Sequence, residues 1–236
     1  MNLFLNANQA FEQMILKLYL DPQFETSPRN QKIKELTNAS LTIENSYDNI
    51  VYNPIRKIST KYLVAEFLWY LIGKQDKEGS DFIVKYAKFW DTLRNADGSL
   101  NSNYGYYIFN PMNSIYKVNN SNDFYSNKSQ FDYVVSILTK DKDSRQAIIN
   151  INNIFHKSIE NIKDFPCTTT MHFMIRNNKL NLTVHMRSCD IVLGFCNDVF
   201  QFTEIQKLLY FNLKNTYKDL KLGSYTLLAN SLHLYE

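Results

Sequence analysis

Apolar positions recur at helical spacing from Ala7 to Tyr19, with Phe11, Met14, Ile15 and Leu18 on one face, and the pattern stops before Asp21-Pro22. The polar stretch from Gln23 to Asn38 predicts loop and strand-edge material, Leu41 to Ile50 a strand, and Asn53-Pro54 a turn. Ser59 or Thr60 can cap a helix that runs to Gly73, since Tyr62, Leu63, Leu68, Trp69 and Ile72 give it a broad apolar face. A further helix is predicted over Asp81 to Leu93, ending in the turn Asp97-Gly98, and another over Phe124 to Leu138. Gln146 to Phe155 reads as a strand. The alternation Leu180, Leu182, Val184, Met186 marks a strand with one buried face, entered through the hairpin-like Arg176-Asn-Asn-Lys179. From Val199 to Leu213 the spacing of Phe200, Phe202, Ile205, Leu208 and Leu209 returns to a helix. Strands and helices mix without a regular βαβ beat, so the expected class is α+β. No internal repeat is visible, and the asparagine-rich patch Asn113 to Asn127 reads as a surface loop.

Composition narrows the range of functions. With 236 residues, 44% of them hydrophobic and 14% aromatic, the chain can bury a substantial core. Its 6 glycines and 5 prolines are spread out and announce no linker, so one domain over residues 1–236 is expected. A net charge of +3 is mild and the basic residues are scattered, so no direct nucleic-acid partner is expected. A few arginines converging on a phosphate monoester would leave the same signature. No apolar run approaches a membrane span, and the polar start Met1-Asn-Leu-Phe-Leu-Asn lacks a signal-peptide pattern. The expectation is a cytoplasmic chain without a membrane partner. Cys167, Cys189 and Cys196 form an odd set with no C-x-x-C pair, which argues against a disulfide framework and against zinc; no metal is expected.

Several residues could carry chemistry, each beside a plainer reading. Cys167 follows Phe165-Pro166, so proline fixes the approach of the chain and the thiol stands at a strand start. Free cysteine is commonly inert packing. If Arg187 and the partner subunit's Arg145 lie nearby, positive charge favours the nucleophilic thiolate. Arg187 ends the alternating strand next to Ser188, and an arginine fork plus a hydroxyl suits a phosphate; a surface arginine at a strand end is the plainer reading. Arg145, in Asp143-Ser-Arg-Gln146, is a second candidate of the same kind. Glu66 stands in Val64-Ala-Glu-Phe-Leu-Trp-Tyr70, a run otherwise apolar on nearly every side. Such a carboxylate must be paired, hydrogen-bonded or protonated, which makes it either a structural ion pair or a group that exchanges protons. His233 and Tyr235 alternate, so both can face one side of a terminal strand, as edge packing or as a binding pair. His156, His172 and His185 show no ligand spacing and read as structural.

The order of these residues resembles the thymidylate synthase superfamily and, within it, the phage deoxycytidylate hydroxymethylases. The resemblance runs from about Tyr62 to Tyr235. It rests on Glu66-Phe-Leu-Trp-Tyr-Leu-Ile-Gly73, Trp90, Asn101-Ser-Asn-Tyr-Gly105, Asp143-Ser-Arg145, Phe165-Pro-Cys167, Arg187-Ser-Cys-Asp190, Gly194, and Gly223 through His233-Leu-Tyr235. It implies an α+β fold with a large mixed sheet packed back to back against its copy in a homodimer. It also implies a folate-dependent one-carbon transferase acting on a pyrimidine nucleoside monophosphate, with 5,10-methylenetetrahydrofolate as co-substrate. On the same resemblance Cys167 adds to C6 of the base, Tyr104 lies beside it, and Glu66 organises water and proton transfer. Arg187 and Ser188 hold the 5′-phosphate, with the partner subunit's Arg145 reaching in, and His233 and Tyr235 contact the sugar hydroxyl. Trp90, Asp190 and Gly194 fall where the family binds the folate. Cytoplasm of a phage-infected host, and a DNA-modification pathway, are the setting this suggests.

Asp198 stands where synthases use an asparagine to read O4 and N3-H of uracil. A carboxylate is acceptor-only, so it suits the amino edge of cytosine instead, and polar matching of this kind discriminates by ~10⁴ or more. Asn197 lies one position earlier; Gly194 anchors the spacing in favour of Asp198. The segment Asn101-Ser-Asn-Tyr-Gly105 also matches the hydroxymethylase branch. So does Thr168, where synthases carry a histidine after the nucleophile. Gln146 replaces the second arginine of the usual pair, and Arg56 is the candidate for the amino-terminal phosphate arginine. The sequence ends at Glu236, directly after His-x-Tyr, where synthases continue into a tail over the folate; water addition tolerates that better than hydride transfer does. The leading expectation is a deoxycytidylate 5-hydroxymethyltransferase, which transfers the one-carbon unit to C5 of dCMP and adds water. The alternatives are a thymidylate synthase or dUMP hydroxymethylase, a CMP hydroxymethylase, and a non-catalytic nucleotide-binding homologue.

Overall fold

Asn6 starts the first helix of the computed structural model, in which residues 2–116 and 128–236 are described, by accepting the Gln9 backbone N–H at 2.9 Å. In chain order the elements are β1 (Asn2–Phe4), α1 (Ala7–Leu20), β2 (Phe24–Thr26), β3 (Ile33–Ile43), α2 (Thr60–Ile72), α3 (Lys77–Val84), α4 (Tyr104–Phe109), α5 (Met112–Tyr116), α6 (Gln130–Lys140), β4 (Ile148–Asn150), β5 (Thr168–Arg176), β6 (Lys179–Met186), β7 (Cys189–Asp190), α7 (Gly194–Lys214) and β8 (Lys221–Tyr235). They mix helices with a large sheet of parallel and antiparallel pairs, the α+β class expected. The chain divides into two compact units, 1–58 with 173–236, and 59–172.

The first unit is built on the sheet order β1-β3-β8-β6-β5, with β2 added to β3 and β7 to β8. β3 runs antiparallel to β8, while β6 and β7 run parallel to it. Asn177 and Asn178 both adopt positive φ (50° and 56°), the geometry of a tight hairpin turn, so the hairpin joining β5 to β6 is as expected. β8 is much longer than the terminal pair His233 and Tyr235 revealed. Its buried face is Gly223, Tyr225, Leu227 and Ala229, too mixed in residue type to stand out as an alternation. A Cβ at Gly223 would stand 2.4 Å from Asn181 Oδ1, so only glycine lets β8 pass the irregularity between Leu180 and Leu182. Gln206 on α7 closes that irregularity by donating to the carbonyls of Leu180 and Ser224.

α1 and α7 pack on this sheet, burying Phe11, Met14 and Leu18 from one and Phe195, Phe202, Ile205 and Leu209 from the other. Each such side chain contributes about 1.5–3 kcal/mol by leaving water. α7 begins at Gly194, five residues before the apolar spacing predicted. The strand predicted over Leu41 to Ile50 is displaced: β3 starts at Ile33 and ends at Ile43. The polar run hid it because only Ile33 and Leu36 of its first half are buried, and pairing with β8, not local propensity, holds that half.

In the second unit α2 is capped by Ser59, which accepts the Tyr62 N–H, and stops at the cap Gly73, as predicted. The helix expected over Asp81 to Leu93 is instead two pieces. Asp76 caps α3 four residues early, and Lys88–Leu93 forms a separate 3-10 turn. Arg94 holds the pieces by bonding Asp81, Asp91 and the Gly98 carbonyl. β4 keeps only three residues of the predicted strand, pairing with Thr170–His172 of β5. The asparagines that follow take the chain away: Asn153 caps a 3-10 turn at Ile154–Ser158 and Asn152 donates to the Pro166 carbonyl. α6 starts at a Ser129/Asp132 capping box. Residues 124–127 of the helix predicted there, and most of the predicted Asn113–Asn127 loop, lie outside the described residues. Among the described residues no helix is long and apolar enough to cross a membrane.

Candidate active site

Cys167, Tyr104, Glu66, Trp90 and Arg145 belong to the second unit. Cys167 is a half-buried thiol outside any disulfide, immediately before β5. Its neighbour Thr168 donates its backbone N–H toward Tyr104 Oη at 3.4 Å, so the phenol and the thiol segment adjoin. Tyr104 opens α4, which lies against α2. A Cβ at Gly105 would stand 1.7 Å from the Tyr70 carbonyl oxygen, so glycine there is a packing requirement. Asn103 anchors the same turn by donating to the carbonyls of Trp69 and Lys74, at 2.9 Å each.

Asp164, three residues before the thiol, is 4% exposed and ties the two segments together. Its carboxylate accepts the Ser102 backbone N–H at 2.7 Å and the Ser102 hydroxyl, and its carbonyl accepts Asn101 Nδ2 at 2.8 Å. Replacing Asp164 by alanine strands buried donors, and a loss of about 3 kcal/mol is expected in urea denaturation.

Glu66 is 5% exposed on α2. Tyr62 Oη donates to its Oε1 at 2.9 Å, and Trp90 Nε1 donates to Tyr62 Oη at 2.9 Å. Trp90 also packs on Trp69, with ring centroids 5.2 Å apart. Arg145 is exposed, its carbonyl 3.2 Å from His172 Nε2, and Gln146 beside it is exposed as well. His156 is buried: its Nδ1 accepts the Asn153 N–H, so the proton on Nε2 faces Tyr107 Oη at 2.7 Å. Burial holds this imidazole below its ordinary value. The unfolded chain therefore takes up the proton first. His156 contributes stability above about pH 6.5 that is lost as pH falls through its folded value. Melting temperatures between pH 7 and 5 are expected to fall less steeply in His156→Gln than in the wild type.

Arg56, Arg187, Ser188, Asp190, Gly194, Asp198, His233 and Tyr235 belong to the first unit. Arg187 is exposed and Ser188 half-buried, directly after β6. β7 pairs Asp190 with His233 of β8, and His233 also faces Glu35 of β3. Ser231 Oγ donates to Glu35 and lies 3.4 Å from His233 Nδ1. The rings of His233 and Tyr235 meet edge to face at 5.0 Å, so the two share one side of the strand as expected. Asp190 accepts the Val192 N–H at 2.8 Å. Burial pushes its carboxyl above the ordinary carboxylate range, against the pull of His233 and Arg56. The His233 imidazole is pushed down by burial, against the Asp190 charge.

Gly194 opens α7 between these groups. The position of a Cβ there is 3.6 Å from Asp198 Oδ2, 3.8 Å from Asp190 Cβ and 3.9 Å from Cys189 Sγ. Asp190 and Asp198 thus flank one helix start. Asn197 turns elsewhere: its Oδ1 accepts Arg56 Nη2 at 3.2 Å. The Arg56 guanidinium also faces the buried Cys196 thiol, and its Nε is buried. Cys189 and Cys196 are buried, and burial raises the Cys196 thiol to about 12. Burial, then the Asp198 charge, holds the Tyr225 phenol well above its ordinary value. Among the described residues no cluster of three or more His, Cys, Asp or Glu is placed to hold a metal.

Sequence reasoning missed Tyr62 and Asp164. Tyr62 was legible as the position four before Glu66, hidden by its place on an apolar helix face. Asp164 carries no local signal, because its partner Ser102 is remote in sequence.

A family model described as thymidylate synthase matches residues 9–236. The chain is 30% identical over 212 residues to the deoxyuridylate hydroxymethyltransferase of Bacillus phage SP01, covering 89% of this chain and 52% of that protein, about half its length. It is 29% identical over 183 residues to the deoxycytidylate 5-hydroxymethyltransferase of Enterobacteria phage T4, covering 75% of this chain and 68% of that one. A thermostable thymidylate synthase A from Bacillus subtilis superposes with a TM-score of 0.72 at 20% identity, over 97% of this chain and 79% of that one. That likeness is one of fold.

Proposed function

Because the chain belongs to the thymidylate synthase family, we propose that it is a folate-dependent hydroxymethyltransferase whose nucleotide is dCMP. The observation that carries the choice of base is the separation of two neighbouring side chains. Asn197 commits its oxygen to Arg56, while the Asp198 carboxylate lies over the glycine that opens α7. That supports Asp198 as the reader of the base edge. An acceptor-only carboxylate pairs with the cytosine amino group and opposes uracil O4.

In this reading the Cys167 thiolate adds to C6, which pushes electron density to C5, the carbon that attacks. Glu66, buried and hydrogen-bonded, handles the proton and the water that ends on the new carbon. Tyr104 stands against the nucleophile's strand. Arg187 and Ser188 bind the 5′-phosphate, and His233 with Tyr235 the sugar hydroxyl. The proposal includes a homodimer in which the partner subunit's Arg145 completes the phosphate site; its exposure on the single chain is compatible with that role. Methylenetetrahydrofolate, when bound, supplies the one-carbon unit. Trp90, Asp190 and Gly194 would hold it, and the Arg56 guanidinium, beside Asn197 and the Cys196 thiol, supplies positive charge for an anionic group of that molecule or the phosphate.

The test is incubation with methylenetetrahydrofolate and dCMP, dUMP or CMP, with products identified by mass. A dCMP product heavier by one CH2O unit is expected. Thymidylate from dUMP with dCMP untouched overturns the reading. A second reading, dUMP hydroxymethylation, is favoured by the name of the SP01 relative, which aligns over 89% of the chain. The same incubation separates the two.

A further inference from the structure

Tyr62 is a phenol for which the proposed reaction has no assigned role, although it touches Glu66, the residue given the proton traffic. The two are one helical turn apart on α2, the spacing at which side chains meet. Trp90 Nε1 lies 2.9 Å from Tyr62 Oη, and Tyr62 Oη lies 2.9 Å from Glu66 Oε1. The sequence of donors has a fixed direction. An indole N–H donates and has nothing to accept with, so Tyr62 Oη receives that hydrogen and its own hydrogen points to Oε1. Trp90 is itself held by Trp69, and Glu66 is 5% exposed, so bulk water competes little for these bonds.

We propose that Tyr62 is the positioning residue for Glu66: it donates to Oε1 in a direction imposed by Trp90, and so holds the carboxylate that exchanges protons at the active centre. This rests on the reading of Glu66 as the group that moves protons in the transferase reaction. A hydrogen bond donated to a carboxylate favours the ionised form, and more strongly where the surroundings are poor in water. The arrangement therefore does two things at once. It fixes the orientation of the carboxylate, and it keeps Glu66 ionised to lower pH than a bare carboxyl in the same place.

Tyr62→Phe keeps the ring and its packing and removes only the hydroxyl. The experiment measures kcat and KM for dCMP against pH in the wild type and Y62F. It also follows the carboxyl band of Glu66 by infrared titration of the ligand-free protein, with E66Q as the spectral blank. In Y62F the acid limb of kcat is expected to move up by about one pH unit and kcat at its optimum to fall about tenfold. KM should stay within about twofold, because Tyr62 acts through Glu66 and not on the nucleotide. The protonated Glu66 band should persist to higher pH by the same margin. An unmoved pH profile together with an unmoved band overturns the inference, even if turnover drops. If the wild type converts none of dCMP, dUMP and CMP, the functional reading falls, and the infrared titration alone decides the role of Tyr62.

Discussion

Cys167→Ser is expected to lower turnover by about 10⁴-fold or more, with nucleotide affinity close to that of the wild type. The reason lies in the pyrimidine. C5 of the ring is a poor nucleophile until a soft anion adds at C6, and a serine hydroxyl offers neither the polarisability nor the acidity of a thiol. In the proposed site binding is spread over other groups, so removing the nucleophile should leave Kd near its original value, and single-turnover mixing with dCMP beside a thermal-shift titration would check both. Thiol labelling gives a parallel readout. Cys189 is 2% exposed and Cys196 fully buried with its thiol at about 12, whereas Cys167 is half-buried. Iodoacetamide at pH 8 should therefore modify Cys167 first, and saturating nucleotide should protect it. A C167S protein that turns over as fast as the wild type would move the nucleophile away from Cys167, and a wild type with no turnover would leave the chain as a nucleotide-binding relative without this chemistry.

Asp198→Asn is the second large effect expected, and it is a change of preference more than a loss of activity. An asparagine amide presents one donor and one acceptor side, which satisfies uracil O4 and N3-H, while in the proposed site the wild-type carboxylate would leave O4 facing a negative charge. The ratio of kcat/KM for dCMP over dUMP should fall by about 10³-fold or more, since unpaired or opposed polar groups at a buried edge carry most of such discrimination. The environment makes the substitution tolerable. Asp198 lies near the start of α7, beside Asp190 and near the buried Tyr225 phenol, and removing its charge relieves the opposition that helps hold that phenol high. Competition assays with both nucleotides in one tube measure the ratio directly. An unchanged ratio would move the base-reading role away from position 198.

The elements that could be read in the chain were those whose signal is local. α1 and α2 each have a capping side chain, a periodic apolar face and a stop within their own boundaries, and both came out within a residue or so. The hairpin at Asn177-Asn178 was equally visible, because a positive φ at both positions selects asparagine. Half of β3, and most of β8, were not visible. Their pairing with each other supplies the stabilisation, and the residues involved need only tolerate extension. The predicted helix over Asp81 to Leu93 failed for a related reason. Arg94 draws Asp81, Asp91 and the Gly98 carbonyl together, and those contacts override the continuous helical spacing.

For the candidate site the division is similar. Residue type and order alone singled out the thiol at Cys167 behind a proline, the carboxylate Glu66 within an apolar run, the arginine and serine after β6, and the α+β class, because these depend on chemistry and spacing along the chain. Only the tertiary structure decided that Asn197 turns to Arg56 while Asp198 lies over Gly194, that Asp164 clasps the Ser102 turn, and that a donor chain from Trp90 through Tyr62 ends on Glu66. A hydrogen bond has direction and a reach of about 3 Å, and residues remote in sequence come within that reach only when packing brings their backbones together.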